Sequence, residues 1–233
     1  MLRTLFAIAI FTPWTFFVII TGLPLSLISP DYFHNYARVW ARFGLWLTGM
    51  RLEVEGLETL DPNRPVIYMA NHLSNFDILA LFASLPGQFR WLAKQELFRI
   101  PLFGFAMRRC GYIPVDRADR ARAIESMKEA ASRIQAGASV MIFPEGTRSP
   151  DGRLLPFKKG GFHLALHARV PIVPIAISGS REAMPKKELR IHPTTIRLRI
   201  CPPVATSGLT ADDRDLLIAK VRESISVDIE EQR

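Results

Sequence analysis

The sequence predicts an α/β fold: a single domain with a mixed, mostly parallel sheet flanked by helices, preceded by an N-terminal membrane-embedded helical segment. Three observations predict it. From Arg51 onward, short apolar runs alternate with stretches of helical period, the pattern of strand–helix–strand units that build a parallel sheet. Residues 4–30 carry no charge. The 233 residues, 48% of them hydrophobic, suffice for one core with an appendage.

The apolar run at residues 5–28 is long enough to cross a bilayer. Pro13 and Pro24 argue against one straight helix, so a membrane-embedded hairpin bent near residues 21–24 is the alternative. A cleaved signal peptide is a third reading, but no small-x-small site stands where the run ends. Only Arg3 precedes the run, whereas Arg38, Arg42 and Arg51 follow it. The positive-inside tendency therefore places the remainder on the cytoplasmic face of the inner or plasma membrane. Residues 34–50 have helical period, with Tyr36, Val39, Trp40 and Phe43 on one broad face and Arg38 and Arg42 stacked at i,i+4. Two readings fit: an interfacial helix, or a core helix with a solvated arginine stripe. The expected division is a membrane-embedded and interfacial segment at residues 1–50 and an α/β domain at residues 51–233.

Within that domain, strands are expected at residues 52–54, 66–70, 89–93, 112–115, 138–143, 172–177 and 196–201. Helices are expected at residues 78–84, 102–109, 118–136, 161–168 and 211–231. The clearest helix carries Ile124, Met127, Ala131 and Ile134 on one face and ends at Gly137. Asp116 is expected to cap it. Pro171 and Pro174 are expected to keep the start of the strand at residues 172–177 out of central pairing.

A net charge of +8 and a pI near 9.9 favour anionic partners: nucleic acid, an anionic membrane face or phosphorylated small molecules. No zinc-finger spacing, RNP-like aromatic run or long Lys/Arg block is present, so nucleic acid is not an expected partner. Cys110 and Cys201 are isolated and read as reduced, buried thiols.

The chemistry centres on Asn71-His72-Leu73-Ser74-Asn75-Phe76-Asp77, between an apolar strand and a helix start. Ser74 is the expected N-cap, with Asp77 in the capping-box position. His72 then lies in the turn and can take a proton from a hydroxyl at neutral pH. Asp77 can accept from the other ring nitrogen. On one regular helix the two would point about 140° apart, so the pair requires His72 to precede the helix. The bland alternative is a capping carboxylate beside a turn histidine. The loop Pro144-Glu145-Gly146-Thr147-Arg148-Ser149 follows another strand. Arg148 offers a planar fork that suits a phosphate, and Gly146 permits close approach of a ligand. Glu145 orients Arg148 or meets a ligand hydroxyl; alternatively the two merely pair within a glycine turn. Lys94 and Arg117 end two further strands, and Pro156–Gly161 adds positive charge before a helix. His163 and His167 have zinc-pair spacing, but Leu164 stands beside them and no third ligand is evident. No G-x-S-x-G elbow is present, which argues against a serine acyl-enzyme.

Four of these stretches together resemble the 1-acylglycerol-3-phosphate acyltransferase family of glycerolipid acyltransferases. They are the N-H-x4-D of residues 71–77, the stretch at residues 111–117, the P-E-G-T-R-S of residues 144–149 and the proline-bearing stretch at residues 170–177, in that order. The resemblance implies His72 and Asp77 as catalytic residues and Glu145, Gly146, Thr147 and Arg148 as acceptor-binding residues. Lys94 and Arg117 are expected to assist with the acceptor phosphate. It further implies acyl transfer from acyl-CoA or acyl-carrier protein to the sn-2 hydroxyl of lysophosphatidic acid at a membrane bilayer, yielding phosphatidic acid for phospholipid biosynthesis, with no metal or redox cofactor. The alternatives are the same chemistry on another lysophospholipid or on glycerol 3-phosphate, and a catalytically silent membrane-binding protein of this fold.

Overall fold

The computed structural model describes residues 1–116 and 118–231, so Arg117 lies outside the described residues. Seven strands form one sheet: β1 (Arg51–Glu55), β2 (Ile67–Ala70), β3 (Phe89–Lys94), β4 (Ile113–Val115), β5 (Ser139–Ile142), β6 (Ile172–Ser178) and β7 (Thr195–Ile200). Their order across the sheet is β1-β7-β6-β2-β5-β3-β4. All neighbours are parallel except β6 and β7.

The sequence pattern of each strand matches its place. β2 and β5 are buried at every position and stand mid-sheet with helices on both faces. β7 buries only Ile196, Leu198 and Ile200, in strict alternation, and stands one strand from the edge. β6 departs from expectation: it is central, paired with β2 on one side and β7 on the other. Its prolines are tolerated because Ile172 makes an isolated bridge to Val204, and the regular β7 ladder begins only at Ile175. Pro174, which has no N–H, falls in the gap and merely accepts from Cys201 N–H at 3.0 Å.

The helices are α1 (Leu2–Gly22), α2 (Leu25–Ile28), α3 (Pro30–Thr48), α4 (Phe76–Ser84), α5 (Phe103–Arg109), α6 (Arg120–Gln135), α7 (Gly160–Ala168), the single turn α8 (Ser180–Ala183) and α9 (Arg214–Glu231). One core layer joins the sheet to α1, α3, α4 and α5. The other joins it to α6, α7 and α9.

The bend expected near residues 21–24 is not there: Leu23 and Pro24 keep right-handed helical angles between α1 and α2. The chain reverses only at Ser29, which is extended, and α3 then returns along α1. Arg3 donates to Thr48 O at one end, Trp40 Nε1 donates to Thr15 Oγ1 midway, and Thr21 meets Tyr36 at the other. The outer side of α1 leaves Leu5, Phe6, Phe16, Phe17 and Ile20 exposed. α3 is a core helix that packs on α4 and buries Phe33, His34, Ala41 and Leu45. Of its arginines, Arg38 is half-buried and Arg42 stays exposed. Arg38 donates to Leu85 O at 2.8 Å and to Gly87 O, and Arg42 donates to Ala83 O, so they serve the bare carbonyls at the end of α4.

One further expectation is corrected, and the face of α6 is only part covered. α6 starts at Arg120 and is capped by Asp119, whose carboxylate accepts from Ala121 and Arg122 N–H; Asp116 accepts from Ala118 N–H one turn earlier. The apolar face of α6 is only half buried. Ala131 and Ile134 enter the core, whereas Ile124 is 50% exposed and Met127 is partly covered.

Candidate active site

The site forms at the carboxyl ends of β2, β5 and β3, which lie side by side. Ligands in α/β sheets characteristically bind there, because every strand-to-helix loop of the parallel set opens on that edge. β2 ends at Ala70, and Asn71 extends its pairing with a side chain. The buried amide donates to Ile177 O at 2.9 Å and accepts from Ile177 N–H at 2.7 Å, replacing a backbone pair on β6. The chain then turns away at His72.

α4 begins at Phe76 rather than after Ser74, and the capping box is half formed. Asp77 Oδ2 accepts from Ser74 N–H at 2.9 Å and Leu73 N–H at 2.7 Å. The Ser74 hydroxyl instead donates to Met184 O. This leaves His72 ahead of the helix, and its Nδ1 lies 2.8 Å from the same Asp77 oxygen. An ionised carboxylate only accepts, so Nδ1 carries the proton and Nε2 holds the lone pair. Asp77 is fully buried, whereas the His72 side chain is 14% exposed. The ring of Phe143, the residue after β5, stacks on His72 with centroids 3.9 Å apart and planes 8° apart. The imidazole is thus fixed by a face contact and a hydrogen bond.

The loop after β5 is tied to the same histidine. Glu145 accepts from His72 N–H at 2.7 Å and from Leu155 N–H at 2.8 Å, and Ser149 N–H donates to His72 O at 2.8 Å. Gly146 takes φ +74°, a left-handed value, to close the turn onto Phe143 O. Burial pushes the Glu145 carboxyl up, against the two backbone N–H groups that hold its charged form. Glu145 does not pair with Arg148. Among the described residues the Arg148 guanidinium has no ion-pair or hydrogen-bond partner.

A cavity of about 440 Å3 opens from this edge. His72, Lys94, Gly146, Thr147 and Arg148 line its polar end, and side chains of α1, α3, α4 and α5 line the rest. Ring contacts mark its course: Phe143 to Trp91 at 5.5 Å, Trp91 to Phe82 at 5.6 Å, and Phe82 to Trp40 at 6.2 Å. One end is therefore basic and hydrogen-bonding, and the other is apolar and walled by the N-terminal hairpin.

A family profile described as Acyltransferase matches residues 51–178. The 1-acyl-sn-glycerol-3-phosphate acyltransferase alpha of Homo sapiens is 36% identical over 223 residues, covering 94% of this chain and 79% of its own. The chain belongs to the 1-acylglycerol-3-phosphate acyltransferase family. A second acyltransferase of that name, from Cocos nucifera, is 40% identical over 172 residues, covering 73% of this chain and 55% of its own. Among solved structures, the 1-acyl-sn-glycerophosphate (LPA) acyltransferase PlsC from Thermotoga maritima superposes with a TM-score of 0.84 at 27% identity, covering 99% of this chain and 95% of that one.

In this acyltransferase, then, five of the expected site residues meet at one cavity end, and Asp77 stands directly behind His72. Glu145 lies behind the loop, with both oxygens committed to backbone groups. Lys94 is exposed and 3.2 Å from Glu96. Two contributors escaped the sequence reading. Phe143 is signalled only by its place between an apolar strand and Pro144. Lys186 donates to Arg148 O at 2.7 Å and to Thr147 Oγ1 at 3.2 Å, fixing the loop from outside. It lies 38 residues from Arg148 and belongs to no recognisable motif.

Proposed function

We propose that the chain moves a fatty acyl group from a thioester donor, acyl-CoA or acyl-carrier protein, to the sn-2 hydroxyl of lysophosphatidic acid, giving phosphatidic acid. The observation that carries this reading is the His72–Asp77 pair at the mouth of an apolar cavity that it shares with Arg148. The cavity volume falls in the range of small-molecule sites, about 300–1,000 Å3. Its apolar length suits an acyl chain, and the Arg148 fork, without an internal partner, suits the acceptor phosphate.

His72 Nε2 removes the proton from the sn-2 hydroxyl while Asp77 steadies the imidazolium. The oxygen attacks the thioester carbonyl, forming the new C–O bond and a tetrahedral oxyanion. Thr147 and Arg148 supply candidate oxyanion donors, since among the described residues their backbone N–H groups donate to no carbonyl. Collapse breaks the C–S bond, and the departing thiolate takes the proton back from His72. The products are phosphatidic acid and a free thiol. Glu145 acts through His72 and its loop as a positioning residue.

The exposed apolar side of α1 supports membrane association: the helical stretch Leu2–Ile28 is long and apolar enough to cross a bilayer, and most of its apolar window is unburied. Because α1 and α3 pack along each other, the hairpin inserts from one side rather than crossing alone, with the catalytic edge on the cytoplasmic face.

The test is thiol release with purified protein, acyl-CoA and lysophosphatidic acid, beside glycerol 3-phosphate and lysophosphatidylcholine. Stoichiometric phosphatidic acid is expected with lysophosphatidic acid. Preference for either other acceptor, or no thiol release with any, overturns the reading.

A further inference from the structure

A second cavity, of about 530 Å3, lies on the opposite face of the sheet between α6 and α7. It meets the catalytic cavity: Leu92, Phe143 and Gly146 line both. Its floor is apolar, built from Val115, Ile142 and Leu164 with the uncovered Ile124 and Met127 of α6. Its rim carries Lys128, Lys158, His163 and His167. We propose that this groove holds the phosphopantetheine arm of a coenzyme A thioester, with the phosphates on the basic rim and the sulfur arriving at Phe143 and Gly146 beside His72. The inference rests on the acyl-transfer reading above.

Bond count separates the two substrates. The phosphate of lysophosphatidic acid is only a few bonds from its reacting hydroxyl, so the cation that binds it must stand beside His72, where Arg148 is. In coenzyme A the whole pantetheine arm separates the phosphates from the thioester. Its cations must stand away from His72, at the far end of a groove that the uncharged arm can fill. The exposed Lys128, Lys158, His163 and His167 surround the apolar floor of the α6–α7 groove, with Lys158 at the Pro144 end, where its N–H donates to Pro144 O at 2.8 Å. Lys158 has no ion pair among the described residues, and Lys128 has only an exposed pair with Glu125 at 3.3 Å. The next cations outward, Lys159 and Arg214, already face Asp215, and Arg214 also contacts His163. Free positive charge around an apolar floor fits the nucleotide end of a cofactor rather than the broad acidic surface of a carrier protein.

Gly160 gives a clean block. A Cβ there would meet only Met127 Sδ, at 3.9 Å, so Gly160→Phe projects a ring toward the groove without clashing with the backbone. In the full-length protein, Gly160→Phe should weaken binding of free coenzyme A, measured by titration calorimetry, by at least about tenfold. The double variant Lys128→Glu/Lys158→Glu, which leaves the helix start intact, should do the same through charge. In turnover, kcat/KM should fall about tenfold more for acyl-CoA than for the matching acyl-N-acetylcysteamine thioester, which lacks the phosphates. Coenzyme A binding unchanged in both variants overturns the site. Variants that weaken acyl-carrier protein while sparing coenzyme A overturn the choice of occupant. Coenzyme A that binds the wild type and not the variants, with no donor ever releasing thiol, leaves the site standing and removes the acyl-transfer reading instead.

Discussion

His72 reaches Asp77 because α4 starts four residues after it, and a pair that a regular helix would splay meets at 2.8 Å. His72→Ala should lower acyl transfer by 10²–10⁴, about 3–5 kcal/mol of barrier, with an unchanged melting temperature. A folded variant above about a tenth of the rate removes the base role. Asp77→Asn should be nearly as impaired, since an amide can favour the wrong tautomer. Arg148 has no internal partner, so its loss should fall on the acceptor. Arg148→Ala should lower kcat/KM for lysophosphatidic acid far more than the apparent affinity for the donor, with Arg148→Lys intermediate. Equal losses for both substrates, with a lowered melting temperature, would assign Arg148 to the scaffold. Glu145 behaves oppositely, because its contacts are backbone groups. Burial raises its folded pKa above the ordinary carboxylate range. The folded state therefore holds that proton more tightly than the unfolded chain. Stability from this group is complete below the unfolded pKa and declines as pH rises through the folded one. Glu145→Gln does not titrate, so the variant should close on the wild type in melting temperature as pH rises from about 4.5 toward neutrality. A constant difference across that window refutes the assignment.

At the scale of elements, the N-terminal hairpin serves two surfaces. The inner side of α1 supplies Thr15, Val18 and Ile19 to the cavity wall, while Phe17 and Ile20 on the outer side are 51% and 60% exposed. Removing the whole segment would therefore open the cavity as well as detach the protein. Phe17→Asp/Ile20→Asp separates these roles. Vesicle cosedimentation should fall more than about tenfold, given 1.5–3 kcal/mol for each large apolar side chain withdrawn from burial. The melting temperature in detergent should hold, since neither side chain touches the core. Undiminished vesicle binding would show that the outer face does not meet lipid.

Across the whole molecule, the sheet separates two cavities that meet at Phe143 and Gly146. The succession of ring contacts from His72 to Trp40 gives the catalytic cavity a direction. Filling its far end should shorten the chain that fits. Ala37→Phe, one turn from Trp40, should shift preference toward shorter acyl groups, read by competing donors of different length in one assay. A uniform loss across lengths would place the acyl chain elsewhere.

What the sequence determined by itself was local. Strand and helix positions follow from periods of two and 3.6 that each segment carries internally, so all seven strands were legible to within a residue or two. The His72–Asp77 and Glu145–Arg148 stretches were legible because their residues are near neighbours in the chain. The bend was expected at residues 21–24, yet Leu23 and Pro24 stay helical and the reversal falls at Ser29, the N-cap of α3. Tertiary structure decided whatever joins distant segments. Glu145 turned from a ligand contact or an arginine partner into a brace for His72, 73 residues away, because β2 and β5 are neighbours in the strand order. Arg38 and Arg42 found the end of α4, and Lys186 found the loop after β5, by proximity that no spacing encodes. Ile124 and Met127 have the period of a buried face, yet line an open groove because α7 packs only part of α6. Periodicity reports which side of a helix is apolar. What covers that side depends on where the neighbouring elements come to rest.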